Sequence, residues 1–263
     1  MSTIDDVAKK IQNAELVVFL TGAGLSVASG IRPYRKSKDA VWSNIIMDWG
    51  TVEKFNEDPV AWYREFWFKA HGEDSLDGFK PNPGHDAITK MVTRSPEHLV
   101  VTQNIDGLHR KAGVPEKQLV EIHGRADRFM CTDDDCVHRH KEPILNTDVA
   151  LTPAAIAAGN APKCPKCGSP VRPLVLLFDE MYESHSLYRM RDARRALNDA
   201  NVIVFVGTSF SVGITEYAIR AGEYARAAMI NVNVEAVDGF GFVNLLGPSE
   251  QTLPELAQRV AAG

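Results

Sequence analysis

Short apolar runs, each closed by a glycine or a polar residue, recur along this chain. The first, residues 16–20, reads Leu-Val-Val-Phe-Leu and leads into Thr21-Gly22. Similar runs follow at 99–102, 119–122 (broken by Glu121), 175–178, 202–206 and 229–234 (broken by Asn231 and Asn233). A strand that is apolar on both faces must be covered on both faces, which is the setting of a parallel sheet with helices above and below. Helical patterns lie between several of these runs. Residues 3–13 place Ile4, Val7, Ala8 and Ile11 at helical spacing, with Asp5 and Asp6 in the first turn, and 186–198 and 215–225 also read as helices.

Strands alternating with helices predict an α/β fold, a Rossmann-like doubly wound parallel sheet. Two stretches break the alternation. Residues from about 31 to 83 are rich in aromatics (Trp42, Trp49, Phe55, Trp62, Tyr63, Phe66, Trp67 and Phe68) and read as a helical lid with a small core of its own. Residues from about 128 to 170 hold all four cysteines and several turn formers, and read as an inserted zinc-ribbon module. The expected division is a sheet domain of 1–31, 84–127 and 171–263, a lid of 32–83 and a zinc-binding module of 128–170. Residues 150–161 are alanine-rich and read as a short surface helix or loop.

The gross numbers narrow the function classes. A chain of 263 residues buries a full core without staples. Net charge is −5, which argues against direct nucleic-acid binding and suits a basic partner such as a lysine-rich peptide. No apolar run reaches the roughly 18 residues of a membrane span, and residues 1–10 lack a signal core, so a cytoplasmic protein is expected. Four cysteines are too few for a disulfide scaffold and read as metal ligands or free thiols in a reducing compartment.

Cys164-Pro165-Lys166-Cys167-Gly168 has the form of a zinc knuckle: two intervening residues let both thiolates reach one ion, and the glycine relieves the turn. Cys131 and Cys136 form a second pair with a wider gap still within ligand spacing. Four thiolates close the coordination shell, so the expected zinc is structural; His138 and His140 are the competing ligands. The loop Thr21-Gly22-Ala23-Gly24-Leu25-Ser26 follows a strand and predicts a Gly-rich turn feeding a helix, which would place N–H groups around a phosphate. It departs from G-x-G-x-x-G because the third glycine comes late, at Gly30, and a simple tight turn explains it equally well. Arg35 is near enough in sequence to reach an anion.

Gln103-Asn104-Ile105-Asp106 ends another run, where an open α/β sheet forms its ligand crevice. It offers amides and a carboxylate to a polar ligand, or a helix N-cap at Asn104 or Asp106. His123 ends the 119–122 run before Gly124, a place for a general base or for a structural histidine. Gly207-Thr208-Ser209 and Asn231-Val232-Asn233 are two more strand-end turns.

Taken together and in order, these motifs resemble the sirtuin family of NAD-dependent protein-lysine deacylases, in its bacterial form. The resemblance runs from Ala14 to Leu256 and includes Ser29-Gly30-Ile31-Arg32-Pro33-Tyr34-Arg35 and Asn233-Val234-Glu235. It implies that NAD is held by Gly22, Ala23, Gly24, Ser26, Tyr34, Arg35, Gln103, Asn104, Ile105, Asp106, Gly207, Thr208, Ser209, Asn233 and Ser249. It implies Asn104 and His123 as catalytic residues, His123 as general base on the ribose hydroxyls. It implies Leu177, Phe178 and Asp179 as the edge that receives an acyl-lysine protein or peptide, and Cys131, Cys136, Cys164 and Cys167 as ligands of a structural Zn2+. The acyl group would pass to ADP-ribose as nicotinamide leaves, with deacetylation the first expectation.

Several positions depart from the family pattern. Phe178-Asp179-Glu180 stands where many members carry Phe-Gly-Glu, Tyr182 replaces a proline, Pro33 follows Ile31-Arg32, and Phe66 and Lys69 stand where desuccinylase-like members carry Tyr and Arg. Without that pair no succinyl or malonyl preference is expected, although Lys69 could meet an acyl carboxylate. The altered edge keeps ADP-ribosyl transfer or NAD hydrolysis open as alternatives in the same pocket. A zinc-ribbon binding module without enzymatic activity is the remaining reading, and the acidic balance weighs against it.

Overall fold

The computed structural model describes residues 3–31, 46–72, 78–211 and 213–263. Its strands, in chain order, are β1 (Val17–Thr21), β2 (Leu99–Thr102), β3 (Leu119–Glu121), β4 (Gly124–Cys131), β5 (Ile144–Leu145), β6 (Val171–Val175), β7 (Val202–Val206), β8 (Ala228–Asn233) and β9 (Val243–Leu246). Six of them form one parallel sheet in the order β3-β2-β1-β7-β8-β9. The five longest helices described are α1 (Thr3–Gln12), α2 (Pro83–Val92), α3 (Met190–Asp199), α4 (Gly213–Ala225) and α5 (Ser249–Ala261).

Both faces of the sheet are covered, as the unbroken apolar runs require. Val17, Phe19, Val202, Val204 and Val206 pack in one cluster with residues of α1, α2 and α5. Their neighbours Val18, Leu20, Ile203 and Phe205 pack in another with residues of α3 and α4. Each such side chain contributes roughly 1.5–3 kcal/mol on burial. The strand order reverses at the β1–β7 pair, so connections leave their carboxyl ends in opposite directions and open a crevice there.

The other three strands form a small antiparallel sheet, β5-β4-β6. Here the expectation for 175–178 fails: this run is not a strand of the parallel sheet. It begins at the end of β6 and leaves as a link whose Leu176 N–H donates to the His123 carbonyl at 2.9 Å. An apolar run alone does not say which sheet it joins. The expected helix at 186–198 is also shorter, because Arg189 takes a left-handed φ of 50° and α3 starts only at Met190. The edge strand β9, half-buried and interrupted by Asn244, carried too weak a pattern to be expected.

Trp42 lies outside the described residues; the other seven aromatics of the segment share one core with the small sheet, where a separate core was expected. Trp62, Tyr63, Phe66 and Trp67 join Phe129, Cys131, Ile144 and Val171 in one apolar cluster. The Trp62 and Trp67 rings stack at 6.0 Å, and the buried Tyr63 hydroxyl donates to the Val171 carbonyl at 2.7 Å. Residues 150–161 include a helix at Pro153–Ala157. No helix among the described residues is long and apolar enough to cross a membrane.

Candidate active site

The crevice begins where β1 ends. Gly22 N–H donates to the Val206 carbonyl at 2.9 Å, and Gly24 N–H to the Gly207 carbonyl at 2.8 Å. Gly207 itself holds a φ of 57°, and a β-carbon there would lie 2.3 Å from the Leu25 nitrogen. Two strand-end turns therefore touch backbone to backbone, and only glycine permits it. The expected helix after this turn is absent. Ala23–Ser29 winds as tighter 3-10 turns and stops at Gly30, whose φ is 92°.

Beside this turn lies the 103–106 segment, and side chains tie the two together. Asn104 Nδ2 donates to the Gly22 carbonyl at 3.0 Å and to Ser26 Oγ at 3.2 Å. Ser26 Oγ donates to Asp106 Oδ2 at 2.7 Å. Asp106 Oδ1 accepts the Leu108 N–H at 2.9 Å, so one carboxylate both starts the helical turn Leu108–Lys111 and faces the loop. Burial pushes the Asp106 carboxyl up from its ordinary pKa, against the pull of the Ser26 hydroxyl and the Leu108 N–H. Gln103 Nε2 reaches Thr208 Oγ1 at 3.4 Å, and the Ile105 carbonyl accepts from Ala126 N–H at 3.0 Å.

His123 Nδ1 lies 2.8 Å from the Gln103 carbonyl. A carbonyl only accepts, so Nδ1 carries a hydrogen, and in the neutral ring the lone pair is then on Nε2. Nε2 lies 3.5 Å from the Tyr182 hydroxyl, and the two rings stack at 5.7 Å. Gly124 turns the chain from His123 into β4 with a φ of 79°, and a β-carbon there would stand 2.0 Å from the Leu174 carbonyl oxygen. Because Leu176 bonds to the His123 carbonyl, Leu177, Phe178 and Asp179 follow directly beside the imidazole's backbone.

The remaining expected residues fall around the same crevice. Asn233 Nδ2 donates to the Thr208 carbonyl at 2.9 Å, and Ser209 Oγ pairs with Ser211 Oγ at 2.6 Å. Ser249 starts α5 with its hydroxyl buried and without a hydrogen-bond partner among the described residues. Its carbonyl would lie 3.3 Å from a β-carbon on Gly84, whose other neighbours include Leu25, so it sits close to the Gly22–Gly30 turn. Tyr34 and Arg35 lie outside the described residues. Lys69 is tied to Glu65 one helical turn away, so an acyl carboxylate would have to displace that partner.

Some polar residues that build the site were not expected. Asn82 caps α2, and its Nδ2 donates to the Leu25 carbonyl at 2.8 Å and to Ser29 Oγ at 3.0 Å. An Asn before a Pro that opens a helix was the available signal. Buried Thr21 Oγ1 lies 2.9 Å from His109 Nε2 and 2.8 Å from Thr102 Oγ1, which accepts the Asn104 N–H at 3.1 Å. Burial pushes His109 well below its ordinary pKa, and His85, whose ring lies 5.2 Å away, down to about 4.

The four cysteine sulfurs all lie within 4.8 Å of one another. Cys131 and Cys167 are 3.4 Å apart, and Cys136 and Cys164 are 3.8 Å apart. Tetrahedral zinc with bonds of about 2.3 Å calls for sulfurs about 3.8 Å apart, so this donor set suits a closed Zn2+ site. The wider gap of the first pair is taken up by a turn in which Cys136 N–H donates to the Asp133 carbonyl at 3.2 Å. His138 instead bonds the Glu142 carbonyl, and His140 lies against His185.

Known proteins are similar to this one along nearly the whole chain. Residues 22–213 match the Sir2 family. The NAD-dependent deacetylase sir2E of Dictyostelium discoideum is 39% identical over 261 residues, covering 96% of this chain and 76% of that protein. A Sir2 homologue crystallised with NAD superposes with a TM-score of 0.78 at 25% identity, covering 98% and 94% of the two chains. A further structure, Sir2Af2 bound to a myristoylated histone peptide, superposes with a TM-score of 0.70 at 25% identity over 99% and 97%. The chain belongs to the Sir2 family, the sirtuins.

Proposed function

We propose that this protein removes acyl groups from lysine side chains, acetyl groups first, by transferring them to the ADP-ribose part of NAD with release of nicotinamide. The observation that carries this reading is the imidazole of His123, oriented by the Gln103 carbonyl at 2.8 Å beside the Asn104–Ser26–Asp106 network. The crevice suits a dinucleotide. Its turns come together through glycines, and Ser249 offers a buried hydroxyl without a partner among the described residues.

NAD, when bound, supplies an activated ribose carbon from which nicotinamide departs. The chain's own residues prepare the surroundings. Gly22, Ala23, Gly24, Gly207, Thr208, Ser209, Asn233 and Ser249 hold the dinucleotide. Gln103, Asn104, Ile105 and Asp106 orient its inner ribose, with Ser26 fixing the Asp106 carboxylate. His123 Nε2 accepts a ribose hydroxyl proton, which its tautomer allows. Leu177, Phe178 and Asp179 receive the acyl-lysine segment. Zn2+ at the four cysteines is structural, and such thiolates suit a reducing, cytoplasmic setting.

The test is an acetyl-lysine peptide incubated with NAD. Nicotinamide release should depend on the peptide, and mass spectrometry should find an acylated ADP-ribose. His123→Ala should lower deacylation by roughly 10²–10⁴-fold, the usual share of a general base. Full deacylation by that variant would overturn the assignment, and free ADP-ribose formed without peptide would identify an NAD hydrolase instead.

A further inference from the structure

The segment beside His123 is pinned on two sides. Inward, Glu180 accepts the Leu177 N–H at 2.9 Å and pairs with the buried Arg172 guanidinium. Outward, the Asp179 carboxylate accepts the N–H groups of Val52 at 2.8 Å and Glu53 at 3.2 Å, where the helix Val52–Glu57 begins. Two residues before that helix, the Gly50 carbonyl accepts the Phe178 N–H at 2.9 Å. The half-exposed Phe178 ring lies so close that a β-carbon on Gly50 would stand 2.8 Å from it.

The N–H groups of Leu176, Leu177 and Phe178 are thus all occupied within the molecule. Those of Leu176 and Leu177 go to the His123 carbonyl and to a carboxylate held by Arg172. That of Phe178 goes to a different segment, which the Asp179 carboxylate ties back through the N–H groups of Val52 and Glu53. A peptide that adds a strand to an edge draws its affinity from such main-chain groups.

We propose that Asp179 is a positioning residue that controls access to the peptide edge. Its charge does not stand as a new feature of the groove. It is turned onto two N–H groups at a helix start, where a carboxylate is favoured. It thereby holds the Gly50 carbonyl on the Phe178 N–H, and an acyl-lysine peptide takes that N–H only as Gly50 gives it up. This rests on the deacylase reading above, since it concerns how that substrate reaches its edge.

Hydrogen exchange and steady-state kinetics on wild type, Asp179→Ala and Asp179→Asn test it. In Asp179→Ala, the amides of Val52, Glu53 and Phe178 should exchange faster by roughly threefold to tenfold, the scale of a lost cap. The KM for the peptide should fall by a similar factor relative to the KM for NAD. Asp179→Asn keeps one acceptor oxygen and should fall between the two. Unchanged exchange at Phe178 overturns the proposal, as does a peptide KM that stays level or rises. Absence of peptide-dependent nicotinamide release in the wild type would instead sink the deacylase reading, while the exchange result still decides the role of Asp179 in holding Gly50.

Discussion

Gly24 and Gly207 meet backbone to backbone: the Gly24 N–H donates to the Gly207 carbonyl at 2.8 Å, and a β-carbon on Gly24 would stand 2.7 Å from Gly207 Cα. This contact joins the ends of β1 and β7, the two strands on either side of the order reversal. Gly207→Ala adds a left-handed strain of about 1 kcal/mol or more to a collision with the Leu25 nitrogen. The variant should unfold at lower urea and lose most of its NAD affinity in calorimetry. Wild-type values in both measurements would show that the two turns can separate at little cost.

Asp106 should behave in the opposite way, with function bought by stability. Burial raises its carboxyl pKa, so the native state holds this proton more tightly than the unfolded chain. Its contribution favours folding at low pH and is lost as pH rises from the ordinary carboxylate range through the raised native value. Above that range the group counts against folding, because ionising it costs more in the native state than in the unfolded chain. Asp106→Asn should therefore melt at the same or a higher temperature at pH 7 while NAD-dependent turnover drops sharply. A lower melting temperature with full turnover would contradict both halves.

How far the sequence carried depends on how local each signal is. The parallel strands announced themselves because both faces are buried, as at Val17–Thr21, where every residue is inaccessible to solvent. The run at 175–178 misled because the same apolar character serves an antiparallel sheet and an edge beside His123. Most expected site residues do cluster at the crevice, since strand ends of an α/β sheet converge there. What stayed hidden was the support: Asn82 holding Leu25 across 57 positions, and His109 reaching Thr21 across 88. Such pairs carry no spacing rule. The place of Asp179 was hidden for the same reason, because its partners at Val52 and Glu53 are more than 120 residues away.

Removing zinc should be felt well beyond the cysteines. Cys131, Cys136 and Cys164 belong to the same apolar cluster as Trp62, Phe66 and Trp67. Closed thiolate sites contribute directly to folding, with apparent binding free energies of about 10–16 kcal/mol in small zinc domains. Metal analysis should find about one zinc per chain, in keeping with four thiolate ligands. Chelation, or Cys164→Ala, should lower the melting temperature and shift tryptophan emission to the red as Trp62 and Trp67 lose their packing. Unchanged emission after complete metal removal would show that the aromatic cluster stands on its own.

The buried histidines predict a stability that weakens in acid. The His85 ring is fully buried, its Nδ1 accepts the Asn82 N–H at 3.3 Å, and its pKa is lowered to about 4. Between the unfolded value near 6.5 and the native value, the unfolded chain binds a proton that the native state refuses. Stability is therefore complete above the upper value and declines as pH falls, by up to about 1.4 kcal/mol per pH unit for this group. Over the whole window that is about 3 kcal/mol. His109, also buried and shifted down, adds a decline of the same sign. Urea unfolding of wild type and His85→Gln from pH 7.5 to 5 isolates the share of His85. The variant should start less stable at pH 7.5, having lost its place in the cap, and its stability should then fall more gently with acid. Parallel curves would mean that the His85 ring is protonated as readily in the folded protein as in water.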